Sequence, residues 1–389
     1  MWLFRASMLN TETDTKLDSA LAMRNAIAKV ATGPEYSKDL SFDEAKKAMD
    51  FVLSEESDLV QAAVFFIGLR MKRETDDENK GILQSIKDTA IVAQANVDEL
   101  VDIADPYNGH SRGLPMTPFI APVLAANGVP AVCHGVDYLG PKYGITQHNI
   151  LKAAGVNVNL SSTEAAKQIE DTSFGWAYVD QSQFAPRLHD LVDFRTRIIK
   201  RQVLTTVEVL IKPITAKNKT HLLTGYVHKA YPPVYAELAR FSGFDSAMIV
   251  RGVEGGVIPS LQQAGKLWSY KDKGEESVVE LDPTILGFNS EDFQQNTRAV
   301  ALPKDLPELR NQGASIIKPF DTDIAAQKAA EAGLAALNGE TGAAYNSLVY
   351  AASITLHHLG KADSLETAAD MVRKTLDSGK ALAHLQGKA

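Results

Sequence analysis

The spacing of apolar residues changes near Leu100, and this change most limits what the chain can fold into. Before it the pattern is helical throughout. Leu17, Leu21, Ile27 and Val30 fall at helical spacing, and Ser41 followed by Glu44 makes a capping-box pattern ahead of Ala45, Met49 and Val52. The unbroken apolar run from Ala62 to Leu69 predicts a helix buried on most sides. A polar break over Arg73 to Asp77 precedes an amphipathic helix carrying Ile82, Leu83 and Ile86. Nothing in this stretch reads as a strand.

Beyond Leu100, short apolar runs alternate with helical segments. Val101 to Ala104, Val129 to Val132, Trp176 to Val179, Leu222 to Val227 and Ala247 to Val250 read as strands. Gln147 to Ala154 reads as a helix, and Ser161 with Glu164 caps another that runs to about Thr172. Ala-rich stretches at Ala325 to Leu337 and Ala343 to Leu359 make the C-terminal part helical. Strands that alternate with helices favour a parallel sheet covered on both faces. The expected architecture is α/β: a small all-helical N-terminal domain over residues 1–96, packed on a large α/β domain over residues 97–389 with a mostly parallel central sheet. Residues near 185–200 are candidates to join the helical domain.

Composition narrows the class. Hydrophobic residues at 45% and charged residues at 23% are ordinary for a globular chain, and 389 residues can bury a large core without staples. The single cysteine, Cys133, excludes an intrachain disulfide and makes a reducing cytoplasm the simplest compartment. Met1 to Asn10 lacks the long apolar core of a signal peptide, and no run approaches the ~18 apolar residues of a membrane helix. A net charge of -8 excludes a uniformly basic surface but not a local basic groove.

The segment Asp105-Pro106-Tyr107-Asn108-Gly109-His110-Ser111-Arg112-Gly113 follows a predicted strand and precedes a helix-like run from Thr117 to Ala126. In open α/β sheets, ligands bind beyond the carboxyl ends of strands. The glycines let the backbone approach an anion, and exposed amides with the helix dipole supply attraction. Arg112 adds a fork of donors suited to phosphate, and Ser111 and Thr117 add hydroxyls. An ordinary surface turn accounts for the same residues. The pattern is neither a Walker motif nor a dinucleotide fingerprint.

A second segment, Cys133-His134-Gly135 with Lys142, Gly144 and Thr146 after it, also follows a strand and is a candidate to line the same site. The bland account is a satisfied loop histidine at His134 and a buried small residue at Cys133. A third feature is the basic stretch Arg195, Arg197, Lys200 and Arg201, which fits either an anion site or a solvated helix end. His357 and His358 are adjacent on a helix and make a poor metal-ligand pair.

Leu69-Arg70-Met71-Lys72-Arg73-Glu74-Thr75 with Glu78 and Gly81, then His134-Gly135 with Ile150-Leu151-Lys152-Ala153-Ala154-Gly155-Val156, then Leu376-Asp377-Ser378-Gly379-Lys380-Ala381-Leu382 resemble, in order, motifs of the anthranilate phosphoribosyltransferase family. The resemblance spans nearly the whole chain. It implies a homodimer formed through the helical part and a site in the inter-domain cleft for phosphoribosyl pyrophosphate with Mg2+. It also implies transfer of the ribosyl carbon to the amine of anthranilate, as in tryptophan biosynthesis. Asn108, Gly109, His110, Ser111, Arg112, Thr117, His134, Gly135, Lys142, Thr146 and Arg195 are the substrate-binding candidates. Arg195 falls roughly where the family places an arginine for the anthranilate carboxylate.

Three departures stand out. Asn108 to Arg112 replaces the family's glycine-rich pyrophosphate loop, and Cys133 replaces a lysine. Val257, Ile258 and Pro259 stand where an acidic magnesium-holding pair is expected, which leaves Glu254 as the one nearby carboxylate. Tyr107-Asn108-Gly109 and Arg251-Gly252 with Glu254-Gly255 resemble a divergent branch, some members of which are associated with nucleic acid. The alternatives to a transferase are therefore a non-catalytic nucleic-acid-binding member, using Arg195 to Arg201 with Lys212, Lys217 and Lys219, or a site for another small phosphate.

Overall fold

The computed structural model describes residues 18–288, 298–307 and 316–389, so the expectations for Met1 to Asn10 and for Leu17 lie outside the described residues. The chain divides into two compact units. One comprises the described residues through Ala90 together with Ala185–Ile211, and the other comprises Ile91–Phe184 and Lys212–Ala389. The helical unit thus recruits a longer second segment than residues 185–200. The boundary also falls before residue 96, because strand β1 (Ala93–Gln94) pairs in parallel with β5 (Ile214–Thr215) of the second unit.

The helical unit is built on helices at 18–30, Phe42–Val52, Leu59–Lys72 and Asp76–Thr89. Both Ser41–Glu44 and Thr75–Glu78 form capping boxes, which satisfy amide groups that a helix start leaves open. Glu78 does more than cap. Its buried carboxylate accepts from Leu40 N at 2.8 Å and lies 2.9 Å from Lys72 Nζ, tying three chain segments together. Met23, Met49, Phe65 and Phe66 fill the core. The helix Leu59–Lys72 is less buried than its apolar run predicts. Phe65, Phe66 and Leu69 are inside, whereas Val60 (74%), Val64 (41%) and Met71 (78%) face out.

The second unit holds a seven-stranded sheet in the order β4-β3-β2-β6-β7-β8-β9. Its strands are β2 (Glu99–Ala104), β3 (Ala131–Gly135), β4 (Trp176–Asp180), β6 (Lys219–Gly225), β7 (Ser246–Val250), β8 (Gly265–Tyr270) and β9 (Ser277–Leu281). The first five in spatial order are parallel, and β7–β8 and β8–β9 are antiparallel. β3 starts two residues later than its apolar run predicts. Pro130 has no N–H to enter the ladder, although its carbonyl accepts from Val101 N at 2.9 Å. β2, β3, β4 and β7 are buried almost throughout, as strands covered on both faces must be. The helices Thr322–Leu337 and Ala343–His358 belong to the core cluster of this unit, and the second is buried nearly all round. Because β2, β3 and β7 run parallel, the loops leaving their carboxyl ends emerge on one side of the sheet.

Candidate functional site

Three such loops meet: Asp105–Thr117 after β2, Val136–Thr146 after β3, and Arg251–Pro259 after β7. The first two are zipped together by a two-way backbone bridge. His110 N donates to Ile145 O at 2.9 Å, Ile145 N to His110 O at 2.8 Å, and Gly144 N to Asn108 O at 3.0 Å. Gly109 permits this approach. Its φ is +71°, and a Cβ there would sit 2.6 Å from the Gly144 carbonyl carbon.

Asp105 fastens the third loop. Its Oδ2 lies 2.7 Å from His110 Nε2, and its Oδ1 accepts from Thr117 Oγ1 at 3.2 Å and from Val257 N at 3.3 Å. Asp105, His110, Thr117 and Asn108 are all buried. Of the residues expected to meet a ligand, these therefore build the frame. Nothing in the local sequence pattern assigns the Asp105 carboxylate this role, because two of its partners lie 12 and 152 residues away.

The surface of the frame is defined by Ser111, Arg112, Lys142 and Glu254. The Glu254 carboxylate accepts from Arg112 N at 2.6 Å, from Ser111 N at 3.0 and 3.1 Å, from Ser111 Oγ at 3.2 Å and from Lys142 Nζ at 3.1 Å. Lys142 Nζ also donates to Gly109 O at 2.7 Å. Burial acts to raise the Glu254 pKa, but Lys142, His110 and the two amides outweigh it and hold the carboxyl below its ordinary value. Beside this cluster lies a mostly apolar recess lined by Leu114, Met116, Val253 and Ile258, with Thr117 and Glu254 at its polar side.

Four expected residues do not present polar groups to this surface. His134 is wholly buried, with Nε2 2.7 Å from Asp102 Oδ1 and Nδ1 hydrogen-bonded to the Tyr107 hydroxyl. Gly135 completes the buried strand β3 beside it. The Thr146 hydroxyl caps the helix Gln147–Ala153 through Asn149 N at 3.2 Å. Arg195 belongs to the helical unit, where its guanidinium grips Glu208 at 2.6 and 2.9 Å with both side chains 1% exposed. A buried bidentate arginine of this kind is already paired, which corrects the expectation that Arg195 is offered to a ligand carboxylate. The proposed basic groove loses other members too. Lys212 Nζ donates to Gly243 O at 2.8 Å and lies over the Phe244 ring, and Lys219 pairs with Asp272 at 2.7 Å. Cys133 is buried, and burial pushes its thiol well above the ordinary value, so it is no nucleophile.

Magnesium is the metal that the resemblance implies. The Glu254 and Asp105 carboxylates are held by N–H and O–H donors, Val257 is buried, and Ile258 and Pro259 carry no ligating side-chain atoms. Among the described residues no group of three or more His, Cys, Asp or Glu side chains is placed to hold a metal ion. The residues present do not fit a magnesium ion held by the protein itself.

The chain combines a helical unit with an α/β unit built on five parallel strands, and the loop after β2 holds an internal carboxylate on its amides. Comparison with known proteins gives this combination its class, a glycosyl transferase fold. Residues 24–90 match the helical bundle domain of a glycosyl transferase family, and residues 113–305 match its a/b domain. An anthranilate phosphoribosyltransferase from Rhodococcus jostii is 30% identical over 253 residues, 64% of this chain and 67% of that protein. One from Azospirillum brasilense is 28% identical over 366 residues, 94% and 91% of the two chains. Among solved structures, an anthranilate phosphoribosyltransferase from Thermus thermophilus superposes with a TM-score of 0.69 at 18% identity, covering 94% of this chain and 98% of that one. One from Saccharomyces cerevisiae in complex with PRPP and Mg gives 0.71 at 15%, covering 94% and 96%. The chain belongs to this glycosyl transferase family, whose members here are pentosyltransferases of the anthranilate phosphoribosyltransferase kind.

Proposed function

We propose that the chain binds a phosphorylated ribose of the phosphoribosyl pyrophosphate kind at the Asp105–Thr117 loop and transfers the ribosyl group to an aromatic amine such as anthranilate. One observation carries the reading: the Ser111 and Arg112 amides and the Lys142 ammonium converge on a single anionic group at 2.6–3.1 Å. Such a convergence is a receptor for phosphate oxygens as much as for a carboxylate. The relatives support the same ligand class, since they are named for this reaction and one is in complex with PRPP and Mg.

In the reaction the bond from the ribosyl carbon to pyrophosphate breaks, and its electron pair leaves with the pyrophosphate. The amine lone pair forms the new carbon–nitrogen bond, and the amine proton passes to solvent. The chain's contribution is to hold the leaving group's charge and to orient the two reactants. A second copy of the chain is the expected partner, because Val60, Val64 and Met71 form an exposed apolar stripe on one helix.

Calorimetry with phosphoribosyl pyrophosphate, with and without magnesium, tests the reading. Binding is expected to weaken at least tenfold in Lys142→Ala, and product is expected to form when anthranilate is added. No heat at millimolar ligand, with Glu254 intact or replaced by Gln, removes the reading.

A further inference from the structure

The anion receptor is already filled by the chain's own Glu254. Ser111 N, Ser111 Oγ, Arg112 N and Lys142 Nζ all direct their hydrogens to that one carboxylate. The side chain is 6% exposed, so an arriving anion cannot simply share the donors. Glu254 comes from the loop after β7, 143 residues along the chain from Ser111, so no local turn preference puts it there. Its backbone is left-handed at φ 55°, an unusual state for a residue with a side chain. It is flanked by Gly252, Gly255 and Gly256, and Gly255 has a φ of +87°. The tertiary fold holds an uncommon backbone conformation at the position that delivers the carboxylate.

We infer that Glu254 is an internal competitor for the ligand's anion: binding at this site requires its carboxylate to leave the Ser111–Arg112–Lys142 receptor, and this exchange sets which anions the site accepts. The inference rests on the proposed reading of the loop as a ligand site and deepens it. A carboxylate and a phosphate oxygen pair present similar acceptors to two amides and an ammonium. A singly charged anion therefore gains little by replacing Glu254. A pyrophosphate group brings more charge and more oxygens to the same donors and gains from the exchange. Gly252 and Gly256 are packed against neighbouring backbone and side chains, so the exchange falls to rotation of the Glu254 side chain about its own bonds rather than to movement of the turn. Glu254 thus acts as a specificity-determining residue that rejects weak anions.

The test is calorimetry on the full chain with inorganic phosphate, inorganic pyrophosphate and phosphoribosyl pyrophosphate, for the natural sequence, Glu254→Gln and Glu254→Ala. Gln keeps the volume and one acceptor oxygen but removes the charge; Ala removes the occupant. Pyrophosphate is expected to bind at least tenfold more tightly to Glu254→Gln than to the natural sequence, and the preference for pyrophosphate over phosphate is expected to narrow. Melting curves identify any variant that does not fold. Should Ala fail to fold, Gln decides the matter. Equal or weaker pyrophosphate binding in a folded Gln variant overturns the inference, as does the absence of anion binding in every variant. Tight pyrophosphate binding without phosphoribosyl pyrophosphate binding upholds the inference and sinks the proposed substrate. Equal phosphoribosyl pyrophosphate binding by all three does the reverse.

Discussion

Gly256 shows how tightly single residues set the site. A Cβ at this position would lie 2.6 Å from His110 Cε1 and 2.9 Å from Asp105 Oδ1, and both of those side chains are buried. Its φ of -75° and ψ of 179° are open to any residue, so the restriction is steric. Gly256→Ala must push His110 from Asp105 or move the loop that carries Glu254. Overpacking of this kind costs about 1–3 kcal/mol. Denaturant titration is expected to show a lower midpoint with an unchanged slope, and an unchanged midpoint would mean that the frame is softer than described. The turn residues at this scale were legible in the sequence. Asn108 and Gly109 announce a sharp turn after a strand whatever the fold around them. Sequence position alone suggests Glu254 only as a replacement for metal ligands. Its partners lie 143 residues away, and no local pattern encodes that distance.

At the scale of elements, the helix Leu59–Lys72 has more apolar surface than its own unit covers. Phe65, Phe66 and Leu69 point inward, and Val60, Val64 and Met71 repeat on the outer face at steps of four and seven, the spacing of one helical stripe. The proposed homodimer follows from that stripe. Sedimentation velocity is expected to show a dimer for the natural sequence and a monomer for the double variant Val60→Glu, Met71→Glu with unchanged helix content. A natural chain that sediments as a monomer at micromolar concentration would end the proposal. Most elements were readable from apolar spacing and caps, as with the boxes at Ser41 and Ser161. The antiparallel pair β8 and β9 was not. β9 is an edge strand exposed over four of its five residues, so it lacks the buried run that marks the inner strands.

Across the whole α/β unit, one buried network couples four elements to pH. Glu99 of β2 lies 3.5 Å from His221 Nε2 of β6, and Lys361 Nζ also pairs with Glu99. His221 Nδ1 is 2.7 Å from Ser246 Oγ of β7, and His358 Nε2 at the end of the helix Ala343–His358 is 3.2 Å from the same hydroxyl. Burial lowers the His358 pKa from 6.5 to about 3, with Lys271, His221 and His357 adding to the effect. His221 and then Lys361 lower Glu99 from 4.5 to about 2 against the cost of burial. Both shifts have the same sign for stability. Above pH 6.5 His358 is neutral in the folded and unfolded chain. As pH falls from 6.5 toward 3, the unfolded chain takes up a proton that the folded one refuses, and stability is lost by at most about 1.4 kcal/mol per pH unit for that proton. Glu99 adds its own loss from 4.5 toward 2. Urea titrations at pH 7.0 and ~5.5 are expected to show falling stability in the natural chain and a flatter profile in His358→Gln. Parallel profiles would exclude His358 as the source.

The sequence by itself determined the succession of helix-only and alternating segments, the mostly parallel sheet, and the place of the loop after β2. Those features depend on residue spacing and turn chemistry within a few positions, which are local properties of a chain. The tertiary structure alone decided which polar groups are paired in the interior and which gather on the loops beyond the sheet. It paired Arg195 with Glu208, closed His134 between Asp102 and Tyr107, and laid Glu254 across the amides of Ser111 and Arg112. A buried charge or donor must find a partner, and the nearest one in space is set by the packing of elements far apart in sequence.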